Sequence, residues 1–342
     1  MDDRPIIGVT MGDPVGVGPE IIVKALARPE IHELCRPLVL GDLSVMRNAA
    51  ARLACDLEIH PVGGPEGGLY RPGAIDLACL SQLDCARLLP GAPTKETGRA
   101  MVGYILKAIE WAKAKKIHGV ATGPIHKGAM NAAGYNYNGH TEIFAEKTDT
   151  AEYVMMMAGE RLRVVLVTIH MALSAVPAAV TREKILSTIR VTHRALIERF
   201  GIARPRLAVA ALNPHAGEDG LFGDEEERVI IPAVREAREE GVSITGPSPA
   251  DTLFFYAAKG ACDAVVCMYH DQGLIPFKLL HFEDGVNTTL GLPIVRTSVD
   301  HGTAYDIAGT GQANPESLVA AVKMASAQAR CLYGGNFRGT LK

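Results

Sequence analysis

The segment DAVVCMYHDQGLIPFK, residues 263–278, places a short apolar run directly before a histidine, an aspartate and, a few residues later, a lysine. A run of this length is typical of a buried strand, and a strand that only packs in a core ends in turn residues. Here the run ends in His270, a possible metal ligand, and Lys278 follows one loop later. The segment therefore predicts a buried strand with functional side chains at its carboxyl end.

Two more predicted strands end in the same way, RVVLVTIH (163–170) and RLAVAALNPH (206–215). Ligands bind beyond the carboxyl ends of strands in open α/β sheets, and neutral imidazole is the commonest protein metal ligand. One such histidine is more often a capping or core residue. Three at matching positions predict a metal site formed by His170, His215 and His270, with a coordination position left for water or substrate.

The rest of the chain alternates short apolar runs with amphipathic ones. Predicted strands are 6–12, 37–42, 117–124, 163–170, 206–215 and 263–270, and predicted helices are 19–27, 43–53, 97–116, 181–201, 224–241 and 315–331. This alternation is typical of an α/β fold with a largely parallel sheet. The Gly- and Pro-rich segment 61–73 is expected to be a surface loop.

Length and composition restrict the class of protein. The 342 residues predict two domains, and 48% hydrophobic with 21% charged residues is ordinary for a soluble globular protein. A net charge of −3 provides no positive electrostatic field that would attract nucleic acid or an anionic membrane. The longest charge-free stretch, 164–181, contains His170 and Pro177, which argues against a membrane span. The acidic, strand-like start predicts no signal peptide.

The seven cysteines are odd in number and have no C-x-x-C spacing. This pattern predicts reduced, mostly buried thiols in a cytoplasmic protein and disfavours zinc held by thiolates.

Polar groups outside the three histidines form a second set of candidates. His140 and Thr141 lie in NGHTE, which predicts either a tight turn presenting both side chains or a helix capped by Thr141. Lys278, Asn287 and Arg296 lie in Gly- and Thr-rich segments rather than on polar helix faces. We therefore expect the two cations to bind a phosphate or carboxylate group.

Two loops could face a cofactor. MGDPVGVGPE (11–20) lacks the dinucleotide fingerprint because Ile21 occupies the third glycine position, and no P-loop lysine follows. It leaves only a helix N-terminus that could face an anion. DHGTAYDIAGTGQANP (300–315) is too polar for a core element and predicts either a loop shaped around a flat polar ligand or an irregular surface connection.

Seven motifs occur in an order that resembles the 4-hydroxythreonine-4-phosphate dehydrogenase family of vitamin B6 biosynthesis. They are MGDPVGVGPE, GPIHKGAMN, NGHTE, LNPHAGE, GPSPADTLF, MYHDQG and GVNTTLGLPIVRTSVDHGTA. The resemblance spans nearly the whole chain. It implies an isocitrate/isopropylmalate dehydrogenase-like α/β fold, with two α/β/α subdomains and the active site in the cleft between them. The expected division is 1–130 with 300–342, carrying the cofactor loop, and 131–299, binding metal and substrate and forming the dimer.

The resemblance also implies roles for individual residues. One divalent ion (Zn, Mg or Co) would be held by His170, His215 and His270, in a site shared between the subunits of a homodimer. The substrate contacts it implies are His140, Thr141, Lys278, Asn287 and Arg296. NAD or NADP would bind at the 300–315 loop, through His301, Gly302, Thr303, Asp306 and Asn314. Asp251 is expected near the metal, and Asp251 and Lys278 are the two candidates for the proton acceptor.

The implied reaction oxidises 4-phosphohydroxy-L-threonine to 2-amino-3-oxo-4-phosphooxybutanoate, which decarboxylates to 3-amino-2-oxopropyl phosphate. A sister branch oxidises D-erythronate or D-threonate 4-phosphate in sugar-acid catabolism. The segment 273–287 resembles that branch, whereas His126 in GPIHKGAMN resembles the B6 enzyme, since the sister proteins carry Asn there. A non-catalytic sugar-phosphate binder and a metal-dependent lyase are the alternatives outside the dehydrogenases.

Overall fold

The computed structural model describes residues 3–334. They form two compact units, one that runs to Thr150 and resumes at Leu292, and one that is Ala151–Gly291. The division expected from the sequence has its boundaries after residues 130 and 299, whereas the observed boundaries lie after residues 150 and 291. Residues 131–150, which include His140, therefore belong to the first unit, as does the segment from Leu292 that contains Arg296.

Strands and α-helices alternate through the described residues. The strands are β1 (Ile6–Thr10), β2 (Arg36–Asp42), β3 (Glu58–Val62), β4 (Ala74–Ser81), β5 (Gly119–Thr122), β6 (Val154–Ala158), β7 (Arg163–Leu166), β8 (Arg206–Ala210), β9 (Ser243–Ser248), β10 (Ala264–Cys267), β11 (Val286–Leu290) and β12 (Arg296–Val299). The helices are α1 (Gly18–Leu26), α2 (Pro29–Leu34), α3 (Leu43–Arg52), α4 (Lys95–Lys113), α5 (Lys127–Ala132), α6 (His140–Lys147), α7 (Val176–Ala179), α8 (Arg182–Glu198), α9 (Ile231–Glu239), α10 (Ala250–Ala257), α11 (His270–Leu280) and α12 (Glu316–Tyr333).

The sheet of the first unit is wholly parallel, in the order β3-β4-β2-β1-β5-β12. Every residue of β1 and β5 is buried, because a parallel sheet is covered on both faces and its central strands are mostly apolar. Gly18, the first residue of α1, is required by close packing, since a Cβ there would lie 2.1 Å from the Met11 carbonyl oxygen. The glycines of segment 11–20 thus serve backbone packing.

The sheet of the second unit has the order β11-β6-β7-β10-β8-β9. β6 pairs antiparallel with both β11 and β7, and β7, β10, β8 and β9 are parallel to one another. The three strands predicted to end in histidine end earlier, at Leu166, Ala210 and Cys267. Each histidine therefore lies in the segment that follows its strand.

All seven cysteines are free thiols, but only Cys35 and Cys267 are buried, and Cys79 and Cys331 are exposed. The expectation that most of them are buried is wrong. No helix within residues 3–334 combines the length and the apolar character that crossing a bilayer requires.

Candidate active site

Parallel pairing brings the three histidine-bearing segments of the second unit to one edge of its sheet. Leu166 of β7 is level with Cys267 of β10, and Val266 of β10 is level with Val209 of β8. Because neighbouring parallel strands all point the same way, their carboxyl ends lie at the same edge. The segments that carry His170, His215 and His270 leave the sheet together.

Hydrogen bonds also connect the segments that follow these strands, beyond the last bonds of the sheet. The Thr168 hydroxyl donates to the Met268 carbonyl over 2.7 Å. Gln272, only 7% exposed, accepts from the Met268 N–H (2.7 Å) and donates through Nε2 to the Ala211 carbonyl (2.6 Å). The sequence analysis did not identify this glutamine. It ties the start of α11, and so His270, to the ends of both β10 and β8.

His170 and His270 lie side by side, with ring centroids 5.6 Å apart. They line a pocket of about 490 Å³ together with Met171, Tyr269 and Asp271. His270 Nδ1 lies 2.7 Å from Asp271 Oδ1. With the proton on Nδ1, this contact orients the ring and leaves Nε2 with its lone pair, which is the usual arrangement behind a metal-binding histidine.

His215 lies apart from this pair in the single chain. It is exposed in the turn Pro214–Gly217, and its ring centroid is 6.1 Å from that of Phe222. Within residues 3–334 of one chain, no three histidine, cysteine or acidic side chains are arranged to hold a metal ion. Two adjacent imidazoles fit part of the coordination shell of a divalent ion, and a further ligand has to come from elsewhere.

The remaining candidates of the second unit lie on three different elements. Asp251 is exposed in the first turn of α10. Lys278 lies in α11, with Nζ 5.4 Å from the centroid of the Phe282 ring. Asn287 lies on β11, and its Oδ1 is buried without a hydrogen-bond partner among the described residues. A buried acceptor of this kind requires a donor, which fits the predicted substrate contact.

In the first unit, Arg296 is a buried cation. Its side chain is 2% exposed, donates through NH2 to the Thr122 hydroxyl (3.0 Å) and stands 5.7 Å from the centroid of the Phe144 ring. Burial lowers the pKa of Arg296 to about 9, and the charge of Glu142 opposes this shift. The guanidinium is therefore charged at neutral pH although it is buried, and a charge shielded from water interacts more strongly with other charges than an exposed one does.

His140 is the first residue of α6, and the helix cap is Gly139. The alternative in which Thr141 caps the helix is therefore wrong. The Nε2 atom of His140 is buried and has no hydrogen-bond partner among the described residues. Burial, and secondarily the charge of Arg296, lower its pKa well below the ordinary 6.5. A neutral imidazole with an unused nitrogen beside a guanidinium suits recognition of a polar anionic group.

The 300–315 loop presents most of its predicted cofactor residues to solvent. Only one of the five, Thr303, is buried, and the exposed ones are His301, Gly302, Asp306 and Asn314. Asn314 also accepts the N–H of Glu316 (2.9 Å) at the start of α12. This exposure leaves the polar face of the loop accessible, which fits a bound dinucleotide.

The segment 11–20 supports this loop from behind. The Thr303 carbonyl accepts the Val17 N–H (3.0 Å), and the Tyr305 hydroxyl donates to Asp13 Oδ2 (2.5 Å). Asp13 is fully buried, which raises its pKa above 3.8 even though the hydrogen bonds from Tyr305 and the backbone oppose the shift. Neither residue was a sequence candidate, because only folding brings positions 13 and 305 together.

The family model described as pyridoxal phosphate biosynthetic protein PdxA matches residues 33–325 of this chain. The chain belongs to this family. It is 58% identical to a 4-hydroxythreonine-4-phosphate dehydrogenase of Desulforapulum autotrophicum, over 96% of each chain. A protein of Symbiobacterium thermophilum, provisionally named D-threonate 4-phosphate dehydrogenase, is 47% identical over 99% of this chain and all of its own length. The crystal structure of 4-hydroxythreonine-4-phosphate dehydrogenase from Klebsiella pneumoniae, 41% identical, superposes with a TM-score of 0.88 and covers 95% of this chain and 100% of that one.

These similarities confirm the predicted family and the α/β fold class. The chain is an oxidoreductase of the dehydrogenase type, in a family named for pyridoxal phosphate biosynthesis. The dehydrogenase relatives favour this class over the non-catalytic binder and the lyase.

We predict that His140 stays neutral in the folded protein well below pH 6.5, because both burial and Arg296 disfavour its charged form. Its folded pKa is lowered, so its contribution to stability is present above about pH 6.5 and is lost as the pH falls below the pKa of the unfolded chain. Histidine ring NMR over this range measures the titration, and His140→Asn identifies the signal. A His140 midpoint near the value of an exposed histidine would contradict the prediction.

Proposed function

We propose that this chain is a divalent-metal- and NAD(P)-dependent dehydrogenase that oxidises 4-phosphohydroxy-L-threonine to 2-amino-3-oxo-4-phosphooxybutanoate. The product, a β-keto acid, then loses carbon dioxide to give 3-amino-2-oxopropyl phosphate. The observation that carries the proposal is the proximity of His170 and His270 beyond the carboxyl ends of the parallel strands β7 and β10, in a chain 58% identical to a relative named for this activity.

The metal site is assigned to His170, His215 and His270. Imidazole nitrogens suit zinc or cobalt better than magnesium, which prefers oxygen ligands. When bound, the ion would supply Lewis-acid polarisation of the substrate hydroxyl, and a nicotinamide dinucleotide would supply the hydride acceptor. The dinucleotide is assigned to the 300–315 loop, whose polar residues are mostly exposed.

The chain's own side chains bind and orient the substrate. The planar guanidinium of Arg296 suits a phosphate or carboxylate, which it can hold through two hydrogen bonds. His140 and Asn287 each offer a buried atom that needs a partner, and Thr141 and Lys278 complete the proposed contacts. These groups fix the orientation of the substrate before reaction.

Oxidation of the secondary alcohol removes a hydride from carbon and a proton from the hydroxyl, and the proton needs an acceptor. Asp251 and Lys278 are the two candidates. A carboxylate can accept a proton directly, whereas an ammonium group must first lose its own. Asp251 is exposed on α10, so water can carry the proton away from it.

A homodimer completes the proposed metal site. The second unit exposes seven large apolar side chains in or shortly after the segments that carry the three histidines: Met171, Leu173, Leu221, Phe222, Ile275, Leu279 and Phe282, between 42% and 81% exposed. Exposed apolar surface is typical of protein contacts, and a second copy that covers these side chains could bring the missing ligand. The seven free thiols fit a reducing compartment such as the cytoplasm.

Oxidation of D-threonate or D-erythronate 4-phosphate is the second candidate function, favoured by the 47% identity to the Symbiobacterium thermophilum relative. These substrates carry a hydroxyl where hydroxythreonine carries an amine. His126 does not decide between them. Its Nδ1 accepts the Ala129 N–H (3.1 Å) and caps α5, a role that asparagine performs equally well.

We predict higher kcat/KM for 4-phosphohydroxy-L-threonine than for either sugar-acid phosphate, by about tenfold or more, because a site built for an amine leaves polar groups unpaired when a hydroxyl replaces it. Formation of reduced nicotinamide, followed by absorbance with each phosphate in the presence of zinc or cobalt, measures the ratio. Faster turnover of D-threonate 4-phosphate would assign the chain to the second function.

We predict that Leu279→Glu converts the dimer to monomers and lowers its metal content, because Leu279 is 81% exposed on α11, the helix that begins with His270, and a buried glutamate at an interface is costly. Sedimentation velocity with metal analysis measures both effects. Leu89→Glu is the matched control, since Leu89 is 67% exposed in the first unit. A Leu279→Glu protein that stays dimeric would show that Leu279 does not lie in the interface.

A further inference from the structure

The turn that carries His215 has an unusual backbone. Six consecutive residues, 215–220, have positive φ, from 45° to 89°, and only Gly217 and Gly220 among them are glycines. Residues with a side chain rarely adopt this conformation, because Cβ comes too close to the backbone. Such a turn persists only where surrounding contacts hold it. Contacts with other groups of the second unit must therefore hold this turn.

Glu226 is the group that holds the start of this turn. It is 1% exposed, although it lies between the exposed or partly exposed Glu225 and Glu227. Its Oε1 accepts the backbone N–H groups of Leu212 (2.7 Å) and Asn213 (2.8 Å).

The second carboxylate oxygen is used as well. Glu226 Oε2 accepts from Asn213 Nδ2 (2.9 Å), and that same amide nitrogen also donates to Glu225 Oε2 (2.7 Å). A Cβ placed on Gly217 would lie only 2.9 Å from Glu226 Oε2, so the carboxylate is packed directly against the turn. One buried carboxylate thus fixes the backbone on both sides of His215.

The backbone at Glu226 is also irregular. Glu226–Ile230 forms a π-helical turn immediately before α9. Such turns occur mostly as single insertions in α-helices and are frequent at functional sites. Two rare backbone conformations, the left-handed turn and the π-helical turn, therefore meet at one carboxylate. A buried charge in this position needs several donors, and Leu212 and Asn213, just before the turn, supply three of them.

We propose that Glu226 is a positioning residue for His215: its carboxylate holds the left-handed turn in the conformation that presents the imidazole to the metal ion. This inference rests on the proposed role of His215 as a metal ligand. Glu226 itself does not bind the ion. It acts through the Leu212 and Asn213 N–H groups and the Asn213 side chain.

The test compares metal affinity in the full-length protein, by competition of zinc or cobalt between the protein and a chelator. Glu226→Gln keeps the size of the side chain but presents an amide NH₂ to donors, so the dissociation constant should rise about 10- to 100-fold, as expected for loss of a group that orients a ligand. Glu227→Gln is the matched control because Glu227 is exposed in the same turn, and it should bind metal like the unsubstituted protein.

A double-mutant cycle separates positioning from a general structural defect. Once His215→Ala has removed the imidazole, Glu226→Gln should weaken metal binding no further. An equal loss in both backgrounds, or unchanged affinity in Glu226→Gln alone, would overturn the inference while leaving the metal site in place. If His215→Ala itself binds metal normally, the proposed ligand set fails, and the inference fails with it.

A variant that does not fold is recognised by circular dichroism of the metal-free protein. In that case Asn213→Ala replaces it, since it removes the side-chain donor to Glu226 Oε2 and keeps the carboxylate. It should raise the dissociation constant in the same direction by a smaller factor. Unchanged affinity in Asn213→Ala would count against the inference.

Discussion

The parallel pairing of β7, β10 and β8 is the constraint on which the chemistry of the second unit depends. Parallel neighbours end at the same edge of a sheet, so three segments far apart in sequence leave it together. Hydrogen bonds from the Thr168 hydroxyl and the Gln272 amide hold the following segments together beyond the strand ends. Each polar group in these links is buried and satisfied, which makes an alternative arrangement costly. The adjacent rings of His170 and His270 follow from this geometry.

In the first unit, burial sets the charge states of two candidate substrate contacts. Arg296 stays charged at neutral pH although it is buried, and burial keeps His140 neutral. Charges shielded from water interact more strongly than exposed ones. The proposed binding of an anionic group by these two side chains rests on their charge states.

Sequence patterns predicted the α/β class and the strands that lead to each histidine, because buried parallel strands are continuous apolar runs. They missed elements of both kinds. β6 reads VMMMA, which is wholly apolar and buried, yet it was not among the predicted strands. β11 reads VNTTL, in which three of five residues are polar, and α11 contains Pro276, so neither carries a clear pattern. The strand ends were placed too late because apolar residues continue past the last ladder bond, as Met268 does after β10.

Local sequence patterns could not identify the residues that support the candidate site. Glu226 is one glutamate among three in DEEER, and only folding buries it against the turn of His215. Asp13 and Tyr305 meet from opposite ends of the chain. The three histidines became candidates because each follows a predicted strand. Within residues 3–334 of one chain, no third histidine, cysteine or acidic side chain joins His170 and His270 to hold an ion, so the proposed site needs a further ligand.

X-ray absorption spectroscopy of the zinc- or cobalt-loaded protein tests the central claim most directly, because it counts the ligands and identifies their atoms. The account predicts three imidazole nitrogens at about 2.0–2.1 Å and no sulfur in the coordination shell of zinc. A shell containing thiolate sulfur, or one with oxygen ligands alone, would contradict it.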